Sequence, residues 1–205
     1  MVKGEAGTKR TQAERSEATR TALLRAAREL FSSKGYASAG REEIVALAGV
    51  TRGALQHHFG DKRSLFLAVY EEVEAEVVTA TANAAMALGD EPLEQLRAGC
   101  QAYLDAVLDP AVQRICAIDG PAVLPADIRQ EITDRYALGL VRHAVAASVE
   151  RGEIEDSPIE PLTRMLLAGI MAAAQYVVTS SQPNIARTEA GQIVDLLLRR
   201  MRRRP

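Results

Sequence analysis

Thr51, Arg52, Gln56 and His57 are the residues best placed to act together. They bring a hydroxyl, a guanidinium, an amide and an imidazole into one short stretch. On a helix opening at Arg52, positions 52, 53, 56 and 57 fall on the side away from Leu55 and Phe59. Such a row of donors recognises by hydrogen bonding. Arg and Gln make bidentate contacts with guanine and adenine edges, and Arg also grips phosphate. Gly53 and Ala54 add almost no bulk, so a partner can approach the backbone closely. Bond-making chemistry has no comparable set. HExxH, GxSxG, Walker and CxxC patterns are all missing from the sequence. His57 and His58 are neighbours on one helix and point in different directions, a poor geometry for shared metal binding. No enzyme activity, metal or cofactor is therefore expected.

The elements that must hold these donors are legible. Residues Arg41 to Ala48 predict a short helix, with Ile44, Leu47 and Ala48 on its inward face. Glu42 and Glu43 occupy its first turn, where they complement the helix dipole. Gly49 ends it, Val50 turns inward as a plug, and Thr51 caps the next helix. Helix, glycine turn, helix is the helix-turn-helix pattern, whose second helix enters the DNA major groove. A longer helix from about Ser16 to Lys34 backs the pair through Leu23, Ala26, Ala27, Leu30 and Phe31.

The flanks sharpen this expectation. Phe31, Gly35-Tyr36, Ala48-Gly49-Val50, His58-Phe59 and Lys62 stand in an order that resembles the DNA-binding domain of the TetR family of bacterial transcription regulators. The resemblance spans Thr19 to Phe66 and fades beyond it. It implies a DNA-facing set of Thr19, Arg41, Thr51, Arg52, Gly53, Gln56, His57 and Lys62. Gln56 departs from the family, which usually has a phosphate-touching Tyr there. Lys62 opens a helix, where a cation opposes the dipole, so an external anion such as a DNA phosphate is expected beside it.

Charge distribution agrees. Residues 1–70 carry 12 Lys and Arg against 7 Asp and Glu, whereas residues 71–205 carry 13 against 20. A basic N-terminal third on an acidic remainder suits a DNA-facing part joined to one that faces something else. No run of about 18 uninterrupted apolar residues predicts a membrane span, and the polar N-terminus lacks a signal-peptide core. The cytoplasm is the expected compartment. Cys100 and Cys116 fit neither a disulfide framework nor a zinc site.

The rest of the chain predicts further helices and no strands. They cover about Lys62–Ala87, Pro92–Asp109, a short one through Val112 and Cys116, Pro125–Arg151, Leu162–Ser180 and the stretch after Asn184. Asp119-Gly120-Pro121 reads as a turn. The expectation is an all-α protein of about nine helices. A disordered arm over 1–15 and a helix-turn-helix domain over 16–62 precede a helical body over 63–205. The family resemblance implies that the body binds a small molecule and forms a homodimer. Inner stripes offer Cys100, Tyr103, Leu104, Tyr136, Leu140 and His143 as pocket walls, suited to a largely apolar ligand. The last two helices carry Leu166, Gly169, Ala172, Ala173, Ile193, Leu196, Leu197 and Met201 as a self-complementary interface. The expected function is repression, relieved when a ligand releases the dimer from a palindromic operator. The alternative is a helical carrier or enzyme with a vestigial DNA-binding module.

Overall fold

The computed structural model describes residues 11–203. Its helices are α1 (Gln12–Lys34), α2 (Arg41–Ala48), α3 (Arg52–Phe59), α4 (Lys62–Met86), α5 (Pro92–Ala106), α6 (110–123), α7 (126–150), α8 (Ile159–Thr179) and α9 (Pro183–Met201). No strand occurs among the described residues, only an isolated bridge between Ile154 and Arg202. Contacts divide the chain into one compact unit ending at Val69 and another beginning at Tyr70, with α4 running through the division.

In the first unit, α1 begins four residues before the expected Ser16, inside the stretch expected as an arm. Thr11 and Glu14 explain why. The Thr11 hydroxyl accepts from the Glu14 amide at 3.2 Å, and the Thr11 amide donates to Glu14 Oε2 at 2.7 Å. This capping box satisfies two backbone donors and fixes the start. The remainder of the expected arm, residues 1–10, lies outside the described residues. Gly35 stops α1 with φ +79°, and its amide donates to Phe31 O. Phe31, Tyr36 and Phe66 form an aromatic cluster with centroids 5.1–5.7 Å apart. On α2 the buried residues are Ile44 and Val45, while Leu47 is 45% exposed. Of the expected inward face, Ile44 is buried and Ala48 half-buried, and Leu47 alone turns outward. Two turns give too short a window to fix the phase of a stripe.

The second unit has a continuous apolar centre. Leu104, Leu138, Leu167, Ile170 and Val177 join α5, α7 and α8, and Leu93, Leu96, Val145, Ile154 and Leu198 extend it. Two helices here contain π turns. In α6 the stretch Gln113–Asp119 is π-helical, and the helix continues through Gly120-Pro121 to Val123. The expected turn at Asp119-Gly120-Pro121 is therefore corrected. Pro121 has no N–H to give, and the wide turn before it passes the Gly120 amide back to Ile115 O. The same turn places Arg114 Nε 3.3 Å from Asp119, an i,i+5 pair that an α-helix would not bring together. In α7 the π turn Asp134–Leu138 shifts the inward stripe. The buried residues of α7 are Ile132, Leu138, Val145 and Ser148, whereas the expected Tyr136 and Leu140 are half-buried and His143 is exposed.

Gly120 sits where no side chain fits. A Cβ there would lie 2.7 Å from the Tyr70 ring and 3.2 Å from Ile115 O. Gly120→Ala is expected to lower stability by about 1–3 kcal/mol, as overpacking does, read as a lower midpoint in urea. An unchanged midpoint would show that Tyr70 yields freely.

Helix α8 is long and apolar enough to cross a membrane by length and composition, with 28% of its window buried. Its inward residues are Leu167, Ile170, Ala174 and Val177, and its opposite side leaves Met165 and Tyr176 exposed. One face serves its own core and the other is open.

Candidate functional site

Helix α3 is held by its cap and by one buried anchor. The Thr51 hydroxyl accepts from the Ala54 amide at 3.2 Å, and Leu55 is buried. Gly49 turns the chain into α3 with φ +67°, a conformation that favours glycine. Thr51, Arg52, Gly53, Gln56 and His57 are all exposed, whereas His58 and Phe59 are half-buried. The structure thus brings five of the expected residues onto one open face, while the His57 and His58 rings meet edge-to-face with centroids 5.2 Å apart. Because its oxygen accepts from Ala54, the Thr51 hydroxyl proton stays available to an outside acceptor.

Arg52 carries a feature that sequence reasoning missed. Its Nη1 lies 3.3 Å from Glu42 Oε1, both side chains being about seven-tenths exposed (67% and 72%). The pair steadies the guanidinium across the turn and leaves donors free. The signal was the Glu42 position in α2, read above only as a dipole partner. Arg41 is exposed at the start of α2.

Two of the expected contacts have hydrogen-bond partners within the chain itself. Lys62 Nζ donates to Tyr36 O at 2.8 Å and to Ala39 O at 3.0 Å, and lies 4.3 Å from the Tyr36 ring centre. The anion expected beside it is replaced by two carbonyl oxygens of the chain itself. Burial, with the nearby Arg41 charge adding to it, lowers the Lys62 pKa. Thr19 is half-buried, and its hydroxyl donates to Arg15 O at 2.9 Å, so the proton a phosphate would need is committed. Arg63, beside Lys62, is the exposed cation at the start of α4, and sequence reasoning passed over it.

The second unit holds an open-sided cavity of about 370 Å³ between α4, α5, α7 and α8. Cys100, Tyr103, Leu140 and His143 line it as expected. Leu104 does not, because it is fully buried in the core, and neither does Tyr136, which the π turn carries off the inward face. The missed wall is α4, with Glu74, Val78 and Thr81. Its polar spot is Glu74, which accepts from the Tyr70 hydroxyl and the Cys116 thiol. Burial pushes the Glu74 carboxyl above its ordinary range, against the pull of those two donors. Burial also raises the Cys100 thiol to about 12, with the Asp195 charge adding to it, which leaves an inert thiol. A smaller cavity of about 110 Å³ shares Glu74, Tyr103 and Met171 and also holds Arg129.

Residues 23–69 match the family described as bacterial regulatory proteins, tetR family, and residues 93–201 match the tetracyclin repressor-like C-terminal domain. The second match alone covers more than half of the chain. The chain belongs to the TetR family. It is similar to the HTH-type transcriptional activator FasR of Mycolicibacterium smegmatis, at 34% identity over 78% of this chain and 73% of FasR. The transposon Tn10 TetC protein of Escherichia coli is 27% identical over 81% of this chain and 83% of TetC. A TetR-family transcriptional regulator from Pectobacterium atrosepticum, solved as a crystal structure, has the same fold with a TM-score of 0.83 and 31% identity. That match covers 96% of this chain and all of the other. This TetR-family chain is a DNA-binding transcriptional regulator, and its all-α architecture is the family's.

On α8 and α9 the residues expected at the dimer interface are mostly open. Ile193, Leu196 and Leu197 are 56%, 46% and 57% exposed, Gly169 and Ala172 are exposed, and Leu166, Ala173 and Met201 are half-buried. Leu166, Gly169, Ala173, Ile193 and Leu197 border a groove of about 540 Å³ between the two helices.

Proposed function

We propose that the chain acts as a homodimeric repressor, released from a palindromic operator by a small, largely apolar effector. The open donor face of α3 carries this reading. Arg52, Gln56 and His57 address base edges, Gly53 permits close approach, and Thr51 and Arg41 hold phosphates. Arg63 supplies the phosphate contact that Lys62, turned inward, does not. A second copy covers the apolar faces of α8 and α9, so that two α3 helices read two half-sites. The effector occupies the 370 Å³ cavity and favours one conformation of the dimer by its differential affinity. The DNA-facing and effector-facing parts meet within α4.

A mobility-shift assay against DNA upstream of the chain's own gene tests the reading. Retardation at nanomolar protein is expected, and binding that is equal on random DNA would defeat it. Arg52→Ala is expected to weaken operator binding by about 1–3 kcal/mol and to relax preference at one base pair. Unchanged affinity and preference would remove Arg52 from the interface.

A further inference from the structure

The 370 Å³ cavity has several acceptors in its lining, with the Tyr103 hydroxyl and the Cys100 thiol among its donors. Thr81 has spent its hydroxyl proton on Val77 O at 2.8 Å, and Thr133 has spent its own on Arg129 O at 3.1 Å. Gln95 directs its amide nitrogen to Gly89 O. What these groups turn to a ligand is lone pairs. Glu74 accepts from Tyr70 and Cys116, and a carboxyl group has acceptor sites for more than two donors. No Lys or Arg is among the residues lining this cavity; Arg129 lines the smaller one, and His143 is an exposed residue. The remaining wall is apolar, with Val78, Leu96, Leu140, Val141, Ile170 and Met171.

We propose that the effector is a lipophilic amine bound as its ammonium ion, with its N–H donors on Glu74 and its apolar body against α7 and α8. This inference deepens the effector reading given above and rests on it. An anionic ligand would meet Glu74 with no Lys or Arg in the cavity lining to offset it. A neutral ligand of equal size would fill the same space and leave the carboxyl's acceptors unmet. The ammonium ion meets both needs, and it supplies the opposite charge that favours an ionised Glu74 in a site where burial disfavours it. The Tyr103 ring beside it adds a face that attracts cations.

The test uses the full-length protein and three probes of one shape: phenylbutylammonium, phenylbutanol and phenylbutanoate. Calorimetry is expected to rank them in that order, with the ammonium ion at least about tenfold tighter than the alcohol, a ratio equivalent to 1.4 kcal/mol. Glu74→Gln is expected to remove the preference while leaving the alcohol's affinity unchanged, which also shows that the cavity still forms. Operator affinity is measured on the same samples. If the alcohol or the carboxylate binds as tightly as the ammonium ion, if the preference survives in Glu74→Gln, or if no probe binds, the inference is overturned. If the protein fails to bind its operator without any probe, the regulator reading beneath it falls instead.

Discussion

Replacing both Leu196 and Leu197 by Glu yields a monomer that binds its operator about 10²–10⁴-fold more weakly, the loss expected when two linked half-sites are no longer engaged together. Both side chains stand out from α9, at 46% and 57% exposed, in a row with Ile193. Across the groove, Met165 and Tyr176 on α8 are 73% and 50% exposed. So much apolar surface on two adjacent helices is costly in water, and each Glu placed between two such faces would have to shed its hydration unpaired. Neither leucine contributes to the buried core, to which α9 gives Ala186, Ala190 and Leu198. The substitutions therefore spare the fold of one chain, and helical circular dichroism should match the wild type. Non-specific DNA binding persists because α3 is untouched. A dimer by sedimentation in the double variant, or a wild-type monomer at micromolar concentration, would defeat the interface.

The sequence made the helix count, the helix-turn-helix and the open face of α3 readable because each rests on local rules. Gly49 and Thr51 are cap signals, and Leu55 against Arg52, Gln56 and His57 is a one-turn pattern. What escaped depends on departures from the 3.6-residue period or on partners distant in the chain. The π turn at Asp134–Leu138 moved Tyr136 off the inward face, and nothing in its composition announces a wider turn. The reach of α6 past Gly120-Pro121 was hidden for the same reason, since Gly-Pro most often marks a break. Glu74 was passed over because a carboxylate on a long helix is normally a solvated one. Only the packing of α5 and α6 against it brings Tyr103 and Cys116 near. The start of α1 is a different case, because Thr11 and Glu14 form a capping box that the sequence did display.

Lys62 is where a local rule pointed outward and the structure points inward. A cation in the first turn of a helix is unfavourable by itself, and that cost was assigned to a missing phosphate. Yet Tyr36 O and Ala39 O belong to the irregular stretch between α1 and α2, where helical partners run out, and Lys62 Nζ satisfies both at 2.8 and 3.0 Å. The ammonium group also sits against the Tyr36 ring, which packs on Phe31 and Phe66. Lys62 thus ties the loop before the helix-turn-helix to the start of α4. Lys62→Met keeps the stem and removes the donors, and it is expected to cost the first unit about 2–3 kcal/mol, the scale of losing charge-assisted hydrogen bonds to carbonyls that stay partly covered. Urea denaturation followed by tyrosine fluorescence would register the loss. Operator binding should weaken in step with the folded fraction, while the slope of log affinity against log salt stays as in the wild type. Arg63→Ala should do the reverse, leaving stability intact and flattening that slope by about one unit. If Lys62→Met instead left stability unchanged and flattened the slope, Lys62 would be a phosphate contact after all, and its bonds to Tyr36 and Ala39 would be incidental.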